Sequence, residues 1–134
     1  MKTDVFFDSN VVLHIFGSDP AKASRAEALL ANGGFVSVQV LNEVSNVALR
    51  KMRKTWPQIR EMLDGIRASA TVVPLTVDVH ERGLAITERY QLQLYDGMIV
   101  AAALLAGCTT LYSEDMHDGL AIDGLTIRNP YRQP

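Results

Sequence analysis

Short continuous apolar runs alternate along this chain with longer stretches in which apolar residues recur every three or four positions. Runs of the first kind, rich in β-branched and aromatic residues, read as buried strands; the second kind reads as amphipathic helices. Residues 3–7 (TDVFF) form the first run, and Asp8-Ser9-Asn10 ends it and opens a short helix. Pro20 starts a helix, with the proline in its first turn, that continues to Ala31 and stops at Gly33-Gly34. Residues 35–37 are a second strand, and Ser37 is placed to cap the next helix. There Val40, Val44, Val47 and Ala48 keep one buried face, in a helix that the pattern carries to about Lys54. Pro57 opens another helix, to about Ala68. Residues 71–75 read as a strand whose Pro74 confines it to a sheet edge or a strand end. Residues 77–91 are helical, residues 96–106 form a strongly apolar helix ended by Gly107, and residues 109–112 and 125–127 are the last strands.

The predicted order is β-α-α-β-α-α-β-α-α-β-β. It implies an α/β fold in a single domain over residues 1–134, with a short, largely parallel sheet flanked by helices on both faces. Such folds gather functional groups at the carboxyl ends of their strands.

Composition narrows this picture. The 134 residues are 48% hydrophobic, enough for a core without disulfides or structural zinc. Cys108 is the single cysteine, so no intramolecular disulfide forms; it reads as a small apolar residue, and Cys/His zinc spacings are absent. A lone thiol fits a reducing compartment. The start, MKTDVFFDSN, lacks the apolar core of a signal peptide, and the longest apolar run, residues 98–106, is far short of a membrane span of about 20 residues. The expected location is cytoplasmic, with no membrane contact. A net charge of −2 does not fit a broadly basic nucleic-acid binder, so any nucleic-acid contact must rest on local clusters, metal ions or a partner.

Of the 15 acidic residues, Glu27, Glu61, Asp64, Glu81 and Glu88 lie among polar helical neighbours and read as solvated faces. Four others do not. Asp8 follows Val5-Phe6-Phe7 at the carboxyl end of the first strand, where it can serve a crevice or cap a helix. Glu43 lies on the apolar side of its helix beside Val40, Val44 and Val47, and a carboxylate buried there needs a metal, a cation or several donors. Asp96 heads the most hydrophobic helix; it can cap that helix with one oxygen and face a metal with the other. Asp115 lies just beyond the strand ending at Tyr112, and Asp118 can add a fifth acid or shape the turn with Gly119. Acids brought together repel one another, and divalent cations relieve the repulsion. Hard oxygen ligands without supporting cysteines or histidines favour Mg²⁺, or Mn²⁺ in its place, over zinc.

Asp8-Ser9-Asn10, Leu41-Asn42-Glu43-Val44, Tyr95-Asp96-Gly97 and Ser113-Glu114-Asp115 resemble the acidic motifs of PIN-domain nucleases, over essentially the whole chain. Within that group, residues 111–116 and 124–130 are similar to VapC-type toxins of bacterial toxin–antitoxin pairs. Ser9 stands where many members carry Thr, and Gly97 where many carry Ala. The resemblance implies a Mg²⁺- or Mn²⁺-dependent endoribonuclease, a homodimer and a complex with a small cognate antitoxin. Its catalytic and metal-binding residues would be Asp8, Glu43, Asp96 and Asp115. Asp8 and Asp96 would be the principal metal ligands, with Asp115 completing the site and Glu43 holding a second ion or orienting water. Ser9, Asn10, Ser113 and Asp118 are candidate supporting residues.

For RNA contact the basic segment Arg50, Lys51, Arg53 and Lys54, with Arg60 nearby, is the candidate; the same charges can simply complement a helix C-terminus. His14, His80 and His117 lack ligand spacing and read as structural or surface residues, and Trp56 as packing at a helix junction. Helix surface around residues 40–49 or 59–66 is available for dimerisation or for core. Two other classes share an acidic pocket at strand ends. A dehalogenase-type phosphatase would need a second Asp where Asn10 stands. A non-catalytic PIN-like interaction module would be expected to have lost acids that are all present here.

Overall fold

The computed structural model describes residues 4–132. Six strands form one sheet: β1 (Val5–Phe7), β2 (Phe35–Ser37), β3 (Thr71–Val73), β4 (Thr110–Tyr112), β5 (Ala121–Ile122) and β6 (Leu125–Arg128). Their order is β3-β2-β1-β4-β6-β5. The pairs β2–β3, β1–β2, β1–β4 and β4–β6 are parallel, and only β5 runs antiparallel, against β6. Six α-helices flank the sheet: α1 (Ser9–Leu13), α2 (Pro20–Ala31), α3 (Val38–Arg50), α4 (Trp56–Ser69), α5 (Val77–Tyr90) and α6 (Leu94–Leu105), with a 3-10 turn over His14–Phe16. The α/β class, the largely parallel sheet and the flanking helices are those the apolar pattern implies.

Phe6, Val36, Leu111 and Ile127 are fully buried, as expected of strands covered on both faces. Cys108 is buried too. Val40, Val44 and Ala48 of α3 and Ile59, Met62 and Ile66 of α4 belong to the core, so those stripes are not open for dimerisation. Exposed apolar side chains instead include Val77 and Leu84 of α5 and Leu94 and Tyr95 of α6. Among the described residues, no helix is long and apolar enough to cross a membrane.

Several boundaries differ from expectation, each for a local reason. The first strand begins at Val5, and Thr3 lies outside the described residues. Helix α3 ends at Arg50, not near Lys54, because Arg53 adopts a left-handed backbone (φ 54°) and Thr55 caps a new helix through a reciprocal box with Gln58. That helix starts at Trp56, so Pro57 sits in its first turn. Trp56 stands ahead of the buried stripe and is 58% exposed, which overturns its expected packing at the junction. Strand β3 stops before Pro74 and lies at the sheet edge. The missed strand, β5, has two residues, joined to β6 through Asp123-Gly124, both at positive φ (49° and 90°). That dipeptide is a hairpin signal, but two flanking residues are too few to show alternation.

Helices α5 and α6 pack tightly against each other, and Gly83 and Gly97 make it possible. A Cβ on Gly97 would lie 1.8 Å from the Thr87 hydroxyl and 2.8 Å from the Gly83 carbonyl. The two backbones touch where Asp96 leaves the first turn of α6.

Candidate active site

Asp8 both ends β1 and caps α1. Its Oδ1 accepts the Ser9 backbone N–H at 2.7 Å, and its Oδ2 accepts the Ser113 hydroxyl at 2.8 Å and the Asn10 side-chain amide at 3.2 Å. Capping and service to the crevice therefore coexist. The residue is 3% exposed. Burial pushes its pKa up to about 7, against the lowering effect of the Ser113 and Ser9 bonds, and the charges of Glu43 and Asp96 push the same way as burial.

Glu43 stands half-buried beside the fully buried Val40 and Val44. Its Oε1 accepts the Ser9 hydroxyl at 2.7 Å and its Oε2 the Gln39 amide at 3.2 Å. Asp96 is not the cap of α6. Gln93 holds that position, without a side-chain bond, and Asp96 is in the first turn. Burial, then Glu43 and Asp115, raises its pKa. Asp115 is exposed, three residues beyond β4.

These four carboxylates face one cleft of about 620 Å³ at the carboxyl ends of β1 and β4, which Ser9, Asn10, Gln93, Leu94 and Tyr95 also line. Among the described residues, no lysine, arginine or histidine lines it. Among the described residues, the acids are not gathered into a ready cage of three. The donor set, all carboxylate oxygen with a buried member that resists ionisation, fits a divalent cation.

Ser9, Asn10 and Ser113 are each hydrogen-bonded to Asp8 or Glu43. Ser113 is fully buried and also accepts the Met116 backbone N–H at 3.2 Å. Replacing it with alanine removes a donor to the charged form of Asp8. The rising limb of a pH–activity profile should then move to higher pH, with activity near neutrality down about 10–100-fold. An unshifted profile would show that Ser113 does not set the ionisation of Asp8.

Asp118 is the exception. Its carboxylate accepts the Asn129 backbone N–H at 2.8 Å and lies 3.5 Å from Arg132, so it ties down the C-terminal segment and does not line the cleft. Arg50, Lys51, Arg53 and Lys54 do not line the cleft either.

A model of the PIN domain matches residues 5–118. The chain belongs to the PIN-domain family. Among solved structures, this PIN domain is similar to a toxin–antitoxin complex from Klebsiella pneumoniae (TM-score 0.73, 22% identity, covering 96% of this chain and 99% of that one). It is also similar to VapBC2 of Rickettsia felis bound to a promoter DNA fragment (TM-score 0.68, 16% identity, 93% and 97% covered). A third is VapC20 of Mycobacterium tuberculosis, a toxin that cleaves the sarcin–ricin loop (TM-score 0.67, 20% identity, 83% and 89% covered). At these identities the likeness is one of fold. No curated protein sequence matches.

Sequence reasoning missed a second polar network on this PIN domain. Glu114 accepts His14 Nε2 at 2.8 Å and the Lys22 ammonium, while its backbone N–H donates to Asn10 Oδ1 at 2.9 Å. Burial pushes the Glu114 carboxyl up, but the Lys22 and His14 bonds outweigh it and hold the group below its ordinary range. Tyr131 meets the His14 ring edge-on at 5.0 Å, under the Lys22 ammonium. This network braces α1, α2 and the loop after β4 around the cleft. No spacing rule links residues 14, 22 and 114, so only their neighbours in the motifs mark them.

Proposed function

We propose that this PIN domain, over the whole 134-residue chain, is a divalent-metal-dependent endoribonuclease that hydrolyses RNA phosphodiester bonds, with Mg²⁺ as cofactor and Mn²⁺ as substitute. The observation that carries this reading is the convergence of Asp8, Glu43, Asp96 and Asp115 on one cleft at the carboxyl edge of the sheet. Asp8, Asp96 and Asp115 would hold the metal, and Glu43 would hold a second ion or orient the attacking water. The bound cation supplies the neutralising charge and activates water for attack on phosphorus.

The chain's own residues set the stage for that chemistry. Ser113 and Asn10 fix the Asp8 carboxylate, and Ser9 fixes Glu43, so the oxygens facing the cleft keep their orientation before substrate arrives. Glu43, held by Ser9 and Gln39, lines the same cleft and would take the proton that the attacking water gives up. Attack by water, not by the 2′-hydroxyl, leaves a 5′-phosphate and a 3′-hydroxyl.

The resemblance to toxin–antitoxin proteins supports a further reading: the toxin of such a pair, acting in the cytoplasm as a homodimer and held in check by a small antitoxin protein.

The test is incubation of the purified protein with total RNA in Mg²⁺, in Mn²⁺ and in EDTA, beside Asp8→Ala and Asp96→Ala. Metal-dependent cuts bearing 5′-phosphates are expected. Either substitution should reduce cutting by more than the roughly 10–100-fold typical of outer partners. Products ending in 2′,3′-cyclic phosphate would overturn the mechanism.

A further inference from the structure

The acid cleft carries four carboxylates and, among the described residues, no cationic side chain, yet the substrate proposed for it is a polyanion. Protein–RNA affinity rests largely on lysine and arginine neutralising phosphates. Those contacts must therefore come from outside the cleft.

A second groove, of about 470 Å³, lies on the same edge of the sheet. Lys22 and Arg25 line one side of it, together with Ala21 and with Asp19, whose carboxylate caps α2 by accepting the Lys22 backbone N–H, and Pro130, Tyr131 and Arg132 line the other. The topology explains the placement. Helix α2 leads into β2, so its first turns lie at the carboxyl edge, and residues 130–132 follow directly on the carboxyl end of β6. Glu114 and Asp115 are adjacent, and they separate the two depressions: Asp115 lines the acid cleft, and Glu114 holds Lys22.

The three cations are not equivalent. Lys22 is engaged by Glu114. Arg25 donates its Nε to the Pro130 carbonyl at 3.2 Å, which orients the guanidinium and leaves its terminal amino groups without a hydrogen bond among the described residues. The Arg132 side chain is 69% exposed, and its ion pair with Asp118 is 3.5 Å long. Two guanidinium groups, one of them oriented by the backbone, can thus each offer paired N–H donors to phosphate oxygens.

The segment expected from sequence to contact RNA is placed differently. Helix α3 starts at the carboxyl edge with Ser37 as its cap and runs about 20 Å to Arg50. Its basic end therefore lies towards the opposite edge of the sheet, and Arg50 Nε bonds Asn46 of its own helix.

We propose that the groove between α2 and residues 130–132 is the phosphate-binding site for the RNA strand leaving the acid cleft, with Arg25 and Arg132 as its ligands. This rests on the nuclease reading above. The groove takes the backbone phosphates next to the cut and reads no base.

The test is fluorescence anisotropy with a labelled single-stranded RNA of mixed sequence, in EDTA so that nothing is cut, across a range of salt. The Arg25→Gln/Arg132→Gln protein should bind at least about tenfold more weakly, and its slope of log K against log salt should flatten by about 1.4, at roughly 0.7 per phosphate on a single strand. Arg132→Gln alone touches nothing buried and should give about half that change in slope. An Arg50→Gln/Lys51→Gln control should keep the parent's slope. Unchanged binding by the Arg25/Arg132 variants, in a parent that still cuts RNA with Mg²⁺, would overturn the groove and leave the nuclease standing. A parent that neither binds nor cuts RNA would remove both. Tighter capture of a polyglutamate peptide than of RNA would reassign the groove to an acidic protein segment and overturn the proposal.

Discussion

Above neutral pH and without divalent metal, Asp8→Asn should melt at a higher temperature than the parent protein and yet cut no RNA in Mg²⁺ or Mn²⁺. The Asp8 carboxyl is 3% exposed, and its pKa is raised from an ordinary 3.8 to about 7, chiefly by burial. Between those two values the folded chain keeps a proton that the unfolded chain gives up. Folding is therefore favoured at the acid end of the window, and stability falls as pH rises from about 4 to about 7. Above that range the apo protein carries the full penalty of a buried charge, a few kcal/mol. Asparagine retains an acceptor for the Ser9 N–H and offers an amide to Ser113 without the charge; it loses the 3.2 Å bond from the Asn10 amide, a smaller cost than a buried charge, and its melting temperature should depend less on pH. Added Mg²⁺ should raise the melting temperature of the parent and leave the variant nearly unmoved, because only a ligand that prefers the folded state stabilises it. Melting curves across pH, with and without metal, check both halves. The same pH dependence in parent and variant would show that Asp8 is not a strained acid.

Gly97→Ala is the second large effect, and it should damage fold and site together. Many PIN domains of the kind resembled carry alanine here, so the change looks mild. In this chain the new Cβ would fall 1.8 Å from the Thr87 hydroxyl and 2.8 Å from the Gly83 carbonyl. Helix α6 must move away from α5, at a cost of about 1–3 kcal/mol or more. Asp96 is the preceding residue and moves with it, so cleavage should fall further than stability explains. Thr87→Ala added to Gly97→Ala removes the closer clash and should restore part of the lost stability, the Gly83 carbonyl limiting the recovery. Denaturation midpoints of the two proteins decide the matter; equal losses would mean that the Thr87 contact is not what excludes alanine.

The fold is largely legible in the sequence because its strands are covered on both faces, so that Val5-Phe6-Phe7 and Thr110-Leu111-Tyr112 stand out as unbroken apolar runs. Asp8 and Asp115 are legible for the same reason: polar residues just past buried strands have one edge of the sheet to occupy. Glu43 shows itself as a carboxylate on an apolar helical face. Asp96 is found but its local role is misread, since the helix begins two residues earlier with Gln93 as cap and exposes Leu94 and Tyr95. Asp118 cannot be told apart from Asp115 by position alone. Its partners, Asn129 and Arg132, come from a C-terminal segment whose path no pattern announces. The Glu114 network escapes for a related reason: its members are brought together only by tertiary packing.

Strand β1 lies in the middle of the sheet, but its neighbours come from distant parts of the chain: Phe6 pairs with Phe35 on one side and Leu111 on the other. The Ser113 hydroxyl that steadies Asp8 is 105 residues downstream. A ribosome making about 5–20 residues per second therefore needs roughly 5–20 s, after Asp8 is joined, to add that partner. Throughout that interval the nascent chain has neither β4 to flank the first strand nor Asp115 to complete the cleft. A chain halted within that interval holds Asp8 and Glu43 but lacks Ser113 and Asp115, so the proposed site is assembled only after residue 115 has been made.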